Sequence, residues 1–98
     1  MARFDYHRSE SGGYVLDCQA DLLSHLNTRL VVPLILLAEA PTPAARLNPV
    51  FVVDGEQMVM VTQFASAMFV KQLGPPLGSL GIHDRMIMDA LDMLQTGF

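Results

Sequence analysis

The sequence predicts a mainly β-structured domain with one α-helix near its C-terminal end. Three observations support this prediction: apolar and polar residues alternate in short segments, an Asp54-Gly55 turn separates two apolar runs, and a helical period starts only at Ile82. Several short strands followed by one terminal helix are typical of an antiparallel sheet that curls into a small barrel, with the helix packed against it.

The first two strands are predicted at residues 4–8 and 14–18, where apolar and polar side chains alternate with the period of a half-buried strand. The loop between them consists of residues that favour turns: Ser9, Glu10, Ser11, Gly12 and Gly13. Two strands joined in this way form a β-hairpin. Residues 20–29 show no clear period and are predicted to be a loop.

A third strand is predicted at residues 30–37, which form an uninterrupted apolar run. Its proline, Pro33, indicates an edge position or a bulge, because proline cannot donate a ladder hydrogen bond. Residues 39–49 contain three prolines and are predicted to be a long connection at the surface.

The clearest local signal is the turn between residues 50–53 and 57–62. Both central residues of a type I′ turn need a positive φ, which Asp54-Gly55 tolerates well. A tight hairpin is therefore predicted here.

The last strand is predicted at residues 67–73, and Gly74-Pro75-Pro76 is expected to end its ladder. Apolar residues at 82–95 are then spaced by three and four positions, which predicts an amphipathic helix. Asp84 lies near the start of this helix, where the helix dipole favours an anion.

Length and composition favour a single domain over residues 1–98 that associates with a copy of itself. Hydrophobic residues make up 51% of the chain and charged residues only 16%, against an average of about 25% charged. A domain this small has a high surface-to-volume ratio, so part of its apolar surplus must lie on the surface. We therefore expect a homodimer.

Composition disfavours several classes of protein. The longest apolar run, residues 30–38, is well short of the roughly 18–20 residues that cross a bilayer, and the charged N-terminus does not fit a secretory signal. We expect a cytoplasmic protein whose only cysteine, Cys18, is a buried thiol. The net charge of -4 and the scattered basic residues argue against nucleic-acid binding.

No convergent set of catalytic residues is visible. His7, His25 and His83 lie far apart and have no companion at metal-ligand spacing, and no glycine-rich phosphate loop is present. The sequence therefore predicts no catalytic residue, no metal and no cofactor. It indicates a protein that acts by binding other proteins.

The predicted helix ends with uncompensated acidic residues. Asp89 and Asp92 lie in its second half, where the helix dipole is negative, and no lysine or arginine follows them. Either they belong to an ordinary solvated face, or a cationic partner completes the site. The terminal Gly97-Phe98 is likewise either a frayed tail or an aromatic anchor.

Methionine is also abundant on this helix. Met86 and Met93 share one face, and Met88 points elsewhere. Because one face must cover the barrel, the other is a candidate dimer or partner surface.

Together these segments resemble a CcdB-type toxin, the toxin half of a bacterial toxin–antitoxin pair, over essentially the whole chain. The matching segments are the hairpin with its loop at residues 9–13, LVVPL at 30–34, NPV at 48–50, TQFAS at 62–66, and IMDALDML at 87–94 followed by Gly97-Phe98.

The resemblance implies an SH3-like barrel, a homodimer, and inhibition of DNA gyrase by binding its A subunit without catalysis. The implied target-binding residues are Asp21, Leu22, Leu23, Met88, Asp92, Thr96, Gly97 and Phe98. A CcdA-type antitoxin is implied to wrap the dimer and contact the loop residues Ser9, Glu10, Ser11, Gly12 and Gly13. Thr96 stands where the family has a tryptophan.

Two alternatives remain open. Messenger-cleaving toxins share this barrel, but an endoribonuclease needs a basic groove and an acid–base pair, which the sequence does not display. A homologue that binds an antitoxin without being toxic is the second alternative, and Thr96 favours it.

Overall fold

The computed structural model describes residues 2–97 of the chain, and in this part the backbone forms seven β-strands and one α-helix. The elements are β1 Asp5–Ser9, β2 Tyr14–Asp17, β3 Thr28–Leu36, β4 Val50–Val53, β5 Glu56–Met60, β6 Ser66–Phe69, β7 Leu73–Ser79 and α1 Asp84–Thr96. Short 3-10 turns occur at Asp21–Leu23, Thr62–Phe64, Val70–Gln72 and Gly81–His83.

The strands form one antiparallel sheet in the order β4-β5-β3-β2-β1-β7, and β6 pairs with the first half of β3. From β6 the chain continues through the Val70–Gln72 turn into β7, which pairs with β1. The sheet therefore curls back on itself, with α1 at the end of the chain. This confirms the predicted fold class, a mainly β, barrel-like antiparallel sheet with one C-terminal helix.

One face of the sheet packs against the helix in an apolar core. Alternate residues of β1 to β5 point to this face, and α1 contributes Ile87, Ala90 and Leu91. The core residues are Phe4, Tyr6, Leu16, Cys18, Val32, Leu34, Phe51, Val53, Met58, Met60, Leu80, Ile87, Ala90 and Leu91. We call this set the helix-side core.

The opposite face of β1, β2 and β3 is also buried, but it carries charge. Its buried members include His7, Val15, Asp17, Arg29 and Val31, which we call the polar interior. Arg29 Nε donates to Asp17 Oδ2 at 3.0 Å, and Arg29 Nη2 lies 2.7 Å from the same oxygen in an ion pair. Both side chains are almost wholly excluded from solvent.

The prediction that Gly74-Pro75-Pro76 ends the sheet is wrong. These residues lie inside β7, where Pro76 is opposite His7 and two register shifts interrupt the pairing with β1. The ladder tolerates the prolines because β7 is an edge strand, so N–H groups on its outer side have no partner strand. The predicted strand at 67–73 is instead β6 followed by a 3-10 turn.

Pro33 occupies neither of the predicted positions, an edge or a bulge. It lies in the central strand β3, opposite Val15, and its carbonyl accepts from Val61 N at 3.0 Å. In any other residue, the N–H at this position would point to the same side of β3 as that carbonyl. Here the neighbouring strand of β3 changes from β6 to β5. In the register of β3 with β5, Pro33 falls opposite Val61, so the reciprocal hydrogen bond to Val61 O is missing, and that carbonyl accepts instead from Phe64 N at 2.9 Å.

The Asp54-Gly55 hairpin is confirmed, with φ of 52° and 81° at its two central residues. Most boundaries differ from the prediction by one or two residues; in particular, β3 begins at Thr28, and α1 begins at Asp84 after a 3-10 turn. Residues 20–29 are therefore a loop only in part.

Candidate functional site

The C-terminal end of α1 is exposed and negatively charged. No basic residue lies in its last turn, and Asp92 is exposed. Gly97 ends the helix with a left-handed φ of 80°, and its N–H donates to Met93 O at 2.9 Å. Thr96 Oγ1 donates to Asp92 O at 2.7 Å, so the hydroxyl at this position binds the helix backbone.

The helix has one buried apolar face. Met86, Met88 and Leu94 are 47%, 37% and 43% exposed, whereas Met93 is half-buried. Met86 and Met88 are about 200° apart around the helix, so they flank the buried face on opposite sides and do not form one exposed face. Met88 is one of the predicted target-binding residues.

The predicted target-binding residues of the first loop form the Asp21–Leu23 3-10 turn. Leu22 is 87% exposed, which makes it one of the most solvent-accessible apolar side chains in the described part of the chain. Asp21 Oδ1 accepts a 2.7 Å hydrogen bond from Arg3 N, and Gln19 Nε2 donates to Leu23 O at 3.1 Å. The turn is thus fixed against neighbouring backbone while its apolar side chains face solvent.

The predicted residues lie on two elements, the Asp21–Leu23 turn and α1. Among residues 2–97, no hydrogen bond or ion pair joins Asp21, Leu22 or Leu23 to Met88 or Asp92. Phe98, which was also predicted to bind the target, lies outside the described residues.

The 9–13 loop is held in place by Arg8. Its Nη1 donates to Gly12 O at 2.7 Å, its Nη2 donates to Tyr14 Oη at 3.0 Å, and its guanidinium lies 4.5 Å from the centre of the Tyr14 ring. Ser9 N donates to Gly13 O at 2.8 Å, and Ser9 Oγ lies 2.8 Å from Ser11 Oγ. The loop is therefore ordered by its own side chains, while residues 10–13 stay exposed.

A second set of contacts joins this hairpin to the Asp54-Gly55 turn. Tyr14 Oη donates to Asp54 Oδ2 at 3.0 Å, and Tyr6 Oη donates to Asp54 Oδ1 at 3.3 Å. The hydrogen bond to Asp54 raises the pKa of Tyr14, and burial, followed by the Asp54 charge, raises that of Tyr6. Both phenols therefore remain donors at neutral pH.

Beside the loop lies an open groove of about 480 Å³ between β1 and β7. Glu10 lies on its rim, and its backbone N–H donates to Gln72 O at 2.9 Å. The other lining residues include Lys71, Gly74 and Leu77. The groove combines apolar side chains with one acidic and two basic residues, a composition that suits an extended peptide.

Four residues of types that can act in catalysis are buried. His7 and Asp17 have no exposed surface, and Arg29 is 1% exposed. Cys18 is buried as predicted, and burial raises the pKa of its thiol to about 12. Within residues 2–97, no group of three His, Cys, Asp or Glu side chains is placed to hold a metal ion. No helix in the same range has the length and apolar character needed to cross a membrane.

Several exposed apolar residues were not predicted to belong to a site. Among them, Leu26, Leu30, Phe64, Phe69 and Ile82 are between 36% and 89% exposed. Because strand alternation alone does not say which neighbours cover a side chain, the sequence offered no signal for most of them. Ile82 was assigned to the helix, but it lies in the Gly81–His83 turn that precedes it.

Comparison with known proteins identifies the family. No curated protein matches the chain. The family model described as CcdB protein matches residues 3–97, almost the whole sequence, and the fold described above agrees with the CcdB resemblance of the sequence. The chain therefore belongs to the CcdB family, whose members are toxins of toxin–antitoxin systems.

Proposed function

We propose that this protein is the toxin of a type II toxin–antitoxin system, that it inhibits DNA gyrase by binding the A subunit, and that a CcdA-type antitoxin neutralises it. The observation that carries this proposal is the helix end, where exposed Asp92 is not offset by a basic residue and Gly97 turns the chain out of the helix. A partner with positive charge would compensate the acid there.

The target contact would combine both exposed groups. Leu22 and Met88 offer apolar surface, and Asp92 supplies charge at the helix end. Apolar side chains around a charged or aromatic anchor are typical of a binding site centred on a few residues. The same exposed apolar surface supports a homodimer, since a second copy could cover part of it.

Truncation tests the target site directly. Removing Gly97 and Phe98 should leave a folded protein with an unchanged circular dichroism spectrum, but abolish inhibition of supercoiling by purified gyrase. Undiminished inhibition by the truncated protein would overturn the proposal.

A pair of matched substitutions on the same helix gives a finer test. Asp92→Asn should weaken gyrase inhibition by roughly tenfold, the equivalent of about 1.4 kcal/mol. Asp84→Asn removes an exposed acid from the first turn of the helix and should leave inhibition unchanged. Equal effects of the two changes would show that the helix end is not the contact.

Thr96 provides a gain-of-function test. Threonine has no π face for a guanidinium, and its hydroxyl binds Asp92 O. If the target presents an arginine here, Thr96→Trp adds a cation–π contact of about 0.5–2 kcal/mol and should lower the concentration needed for half-inhibition. No gain would contradict an arginine at this contact.

The antitoxin would contact the 9–13 loop and the adjoining groove. The carboxylate of Glu10 lies on the groove rim and accepts a 3.2 Å hydrogen bond from Gln72 Nε2. An unstructured antitoxin tail that folds on binding could follow this groove. Glu10→Gln should weaken antitoxin binding measured by calorimetry, and Asp84→Asn, which neutralises an exposed acid at the start of α1, should not.

The two alternatives are outcomes of the same experiments. Cleavage of RNA by the purified protein in the absence of gyrase would favour an endoribonuclease over gyrase inhibition. Antitoxin binding without growth arrest on expression would favour a non-toxic homologue.

A further inference from the structure

The outer edge of β4 has no neighbouring strand. Within the described chain β4 pairs only with β5 and ends the strand order. Met60 N donates to Pro49 O at 2.9 Å, so the Pro49 carbonyl points toward β5. Backbone groups of successive residues in a strand point to opposite sides. The N–H and C=O groups of Val50 and Val52 therefore point to the open side.

The side chains of β4 alternate in the same strict manner. Phe51 and Val53 are buried in the helix-side core, at 3% and 1% exposure. Val50 and Val52 lie on the other face and are 37% and 66% exposed. The edge thus presents free backbone groups together with two uncovered valines. Edges of this kind are templates for another strand unless a charge, a proline or a bulge blocks them.

The strand at the other end of the strand order is blocked in just this way. β7 carries Pro75 and Pro76, and its register with β1 shifts twice. β4 contains neither proline nor charge. β6, which pairs only with β3 in the described chain, is likewise unprotected, but a lysine follows it, whereas acidic residues follow β4.

Charge distinguishes between the candidate occupants of the edge. The hairpin tip beyond β4 carries Asp54 and Glu56, both exposed, and the whole chain has a net charge of -4. A second copy would bring a further net charge of -4 to the same place. A basic segment would be attracted by it.

We propose that β4 is a strand-addition site for an extended, positively charged segment of another protein. The segment would exchange main-chain hydrogen bonds with Val50 and Val52 and place alternate apolar side chains on their isopropyl groups. A basic residue at its end would lie near Glu56.

A designed peptide tests this pairing without knowledge of the natural partner. The probe is a short peptide of alternating valine and threonine that ends in two lysines, labelled for fluorescence anisotropy. It should bind, and hydrogen exchange of the Val50 and Val52 amides should slow. The same peptide with N-methyl groups on alternate backbone nitrogens should bind at least about tenfold more weakly, because it cannot donate to the edge.

Substitutions on the two edges supply the matched controls. Val52→Lys should reduce peptide affinity by roughly tenfold, because it repels the lysines and blocks the edge. Ser79→Lys adds the same charge to exposed β7, outside the groove beside the 9–13 loop, and should leave affinity unchanged. Val52→Pro removes only an outward N–H and should act like Val52→Lys, provided that its circular dichroism spectrum is native.

Three outcomes would overturn the proposal: no binding of the peptide, equal binding of its N-methylated form, or equal effects of the two lysine variants. If, without peptide, hydrogen exchange of the Val52 amide slows as the protein concentration rises, the edge pairs with a second copy of the chain instead. These experiments are independent of gyrase, since the truncation after Thr96 leaves β4 intact and should still bind the peptide.

Discussion

Each face of the sheet has a buried part, and the two buried parts differ in chemistry. The helix-side core is apolar and is closed by Ile87, Ala90 and Leu91 of α1. The polar interior contains an ion pair between Asp17 and Arg29 with almost no solvent contact. On the helix-side face, the loss of stability should increase with the side-chain volume that is removed. On the other face, stability depends on keeping both charges of the ion pair. Stability should therefore respond differently to substitutions on the two faces.

The largest effect is expected from breaking the ion pair. Arg29→Ala leaves Asp17 buried without a counter-charge and should lower the free energy of unfolding by about 3–5 kcal/mol, measured by urea denaturation. Replacing both partners, Asp17→Leu with Arg29→Met, removes both charges and should cost far less. A double variant as unstable as the single one would show that the pair itself stabilises the fold.

A cavity in the helix-side core should come next. Ile87 has no exposed surface, so Ile87→Ala should cost about 2–5 kcal/mol through lost burial and an unfilled cavity. Met86→Ala, one position away and exposed, should change stability by less than about 0.5 kcal/mol. Similar losses in both variants would place Met86 in a covered interface.

The end of the helix that closes this core should have a smaller effect. Gly97→Ala forces a residue with a Cβ into a left-handed φ of 80° and should cost about 1 kcal/mol. No atom lies within 4 Å of the added methyl group, so the cost comes from backbone strain alone. Gly13→Ala, which has open space and no positive φ, serves as the control and should be close to neutral in thermal unfolding.

The smallest effect at neutral pH concerns Cys18 in the helix-side core. Burial raises the pKa of its thiol from 9.0 to about 12, so the folded protein holds this proton more tightly than the unfolded chain. The linked contribution to stability is complete below pH 9 and is lost as the pH rises toward 12. Alkylation of the thiol at pH 8 should be slow until urea unfolds the protein. Rapid alkylation of the native protein would contradict the burial.

Local rules predicted the elements whose conformation is set by neighbouring residues. The Asp54-Gly55 turn follows from the φ that its two residues tolerate, and the helix follows from apolar spacing and the acidic first turn. β7 was missed because Pro75 and Pro76 are compatible with a strand only at an edge, and edge positions depend on the topology of the whole sheet.

The site was predictable to a similar extent. Charge spacing alone indicated that Asp92 is not compensated at the helix end. The Arg8 contacts that order the 9–13 loop, and the bond from Tyr14 to Asp54, join residues up to 40 positions apart. Asp17 and Arg29 each resembled an ordinary surface residue, because only strand pairing brings them face to face. Such contacts depend on tertiary structure and leave no local pattern.

The pairing of β1 with β7 has a consequence for synthesis of the protein. Tyr6 lies opposite Gly78, where the glycine leaves room for the tyrosine ring. The two residues are more than 70 positions apart, so the second partner strand of β1 is synthesised much later than β1 itself. Contacts of such wide separation form late and slowly, because a long loop must close first. While the nascent chain is still on the ribosome, one side of β1 stays unpaired until β7 has emerged. A chain that stops short of β7 should therefore be degraded or aggregate rather than persist as a folded fragment.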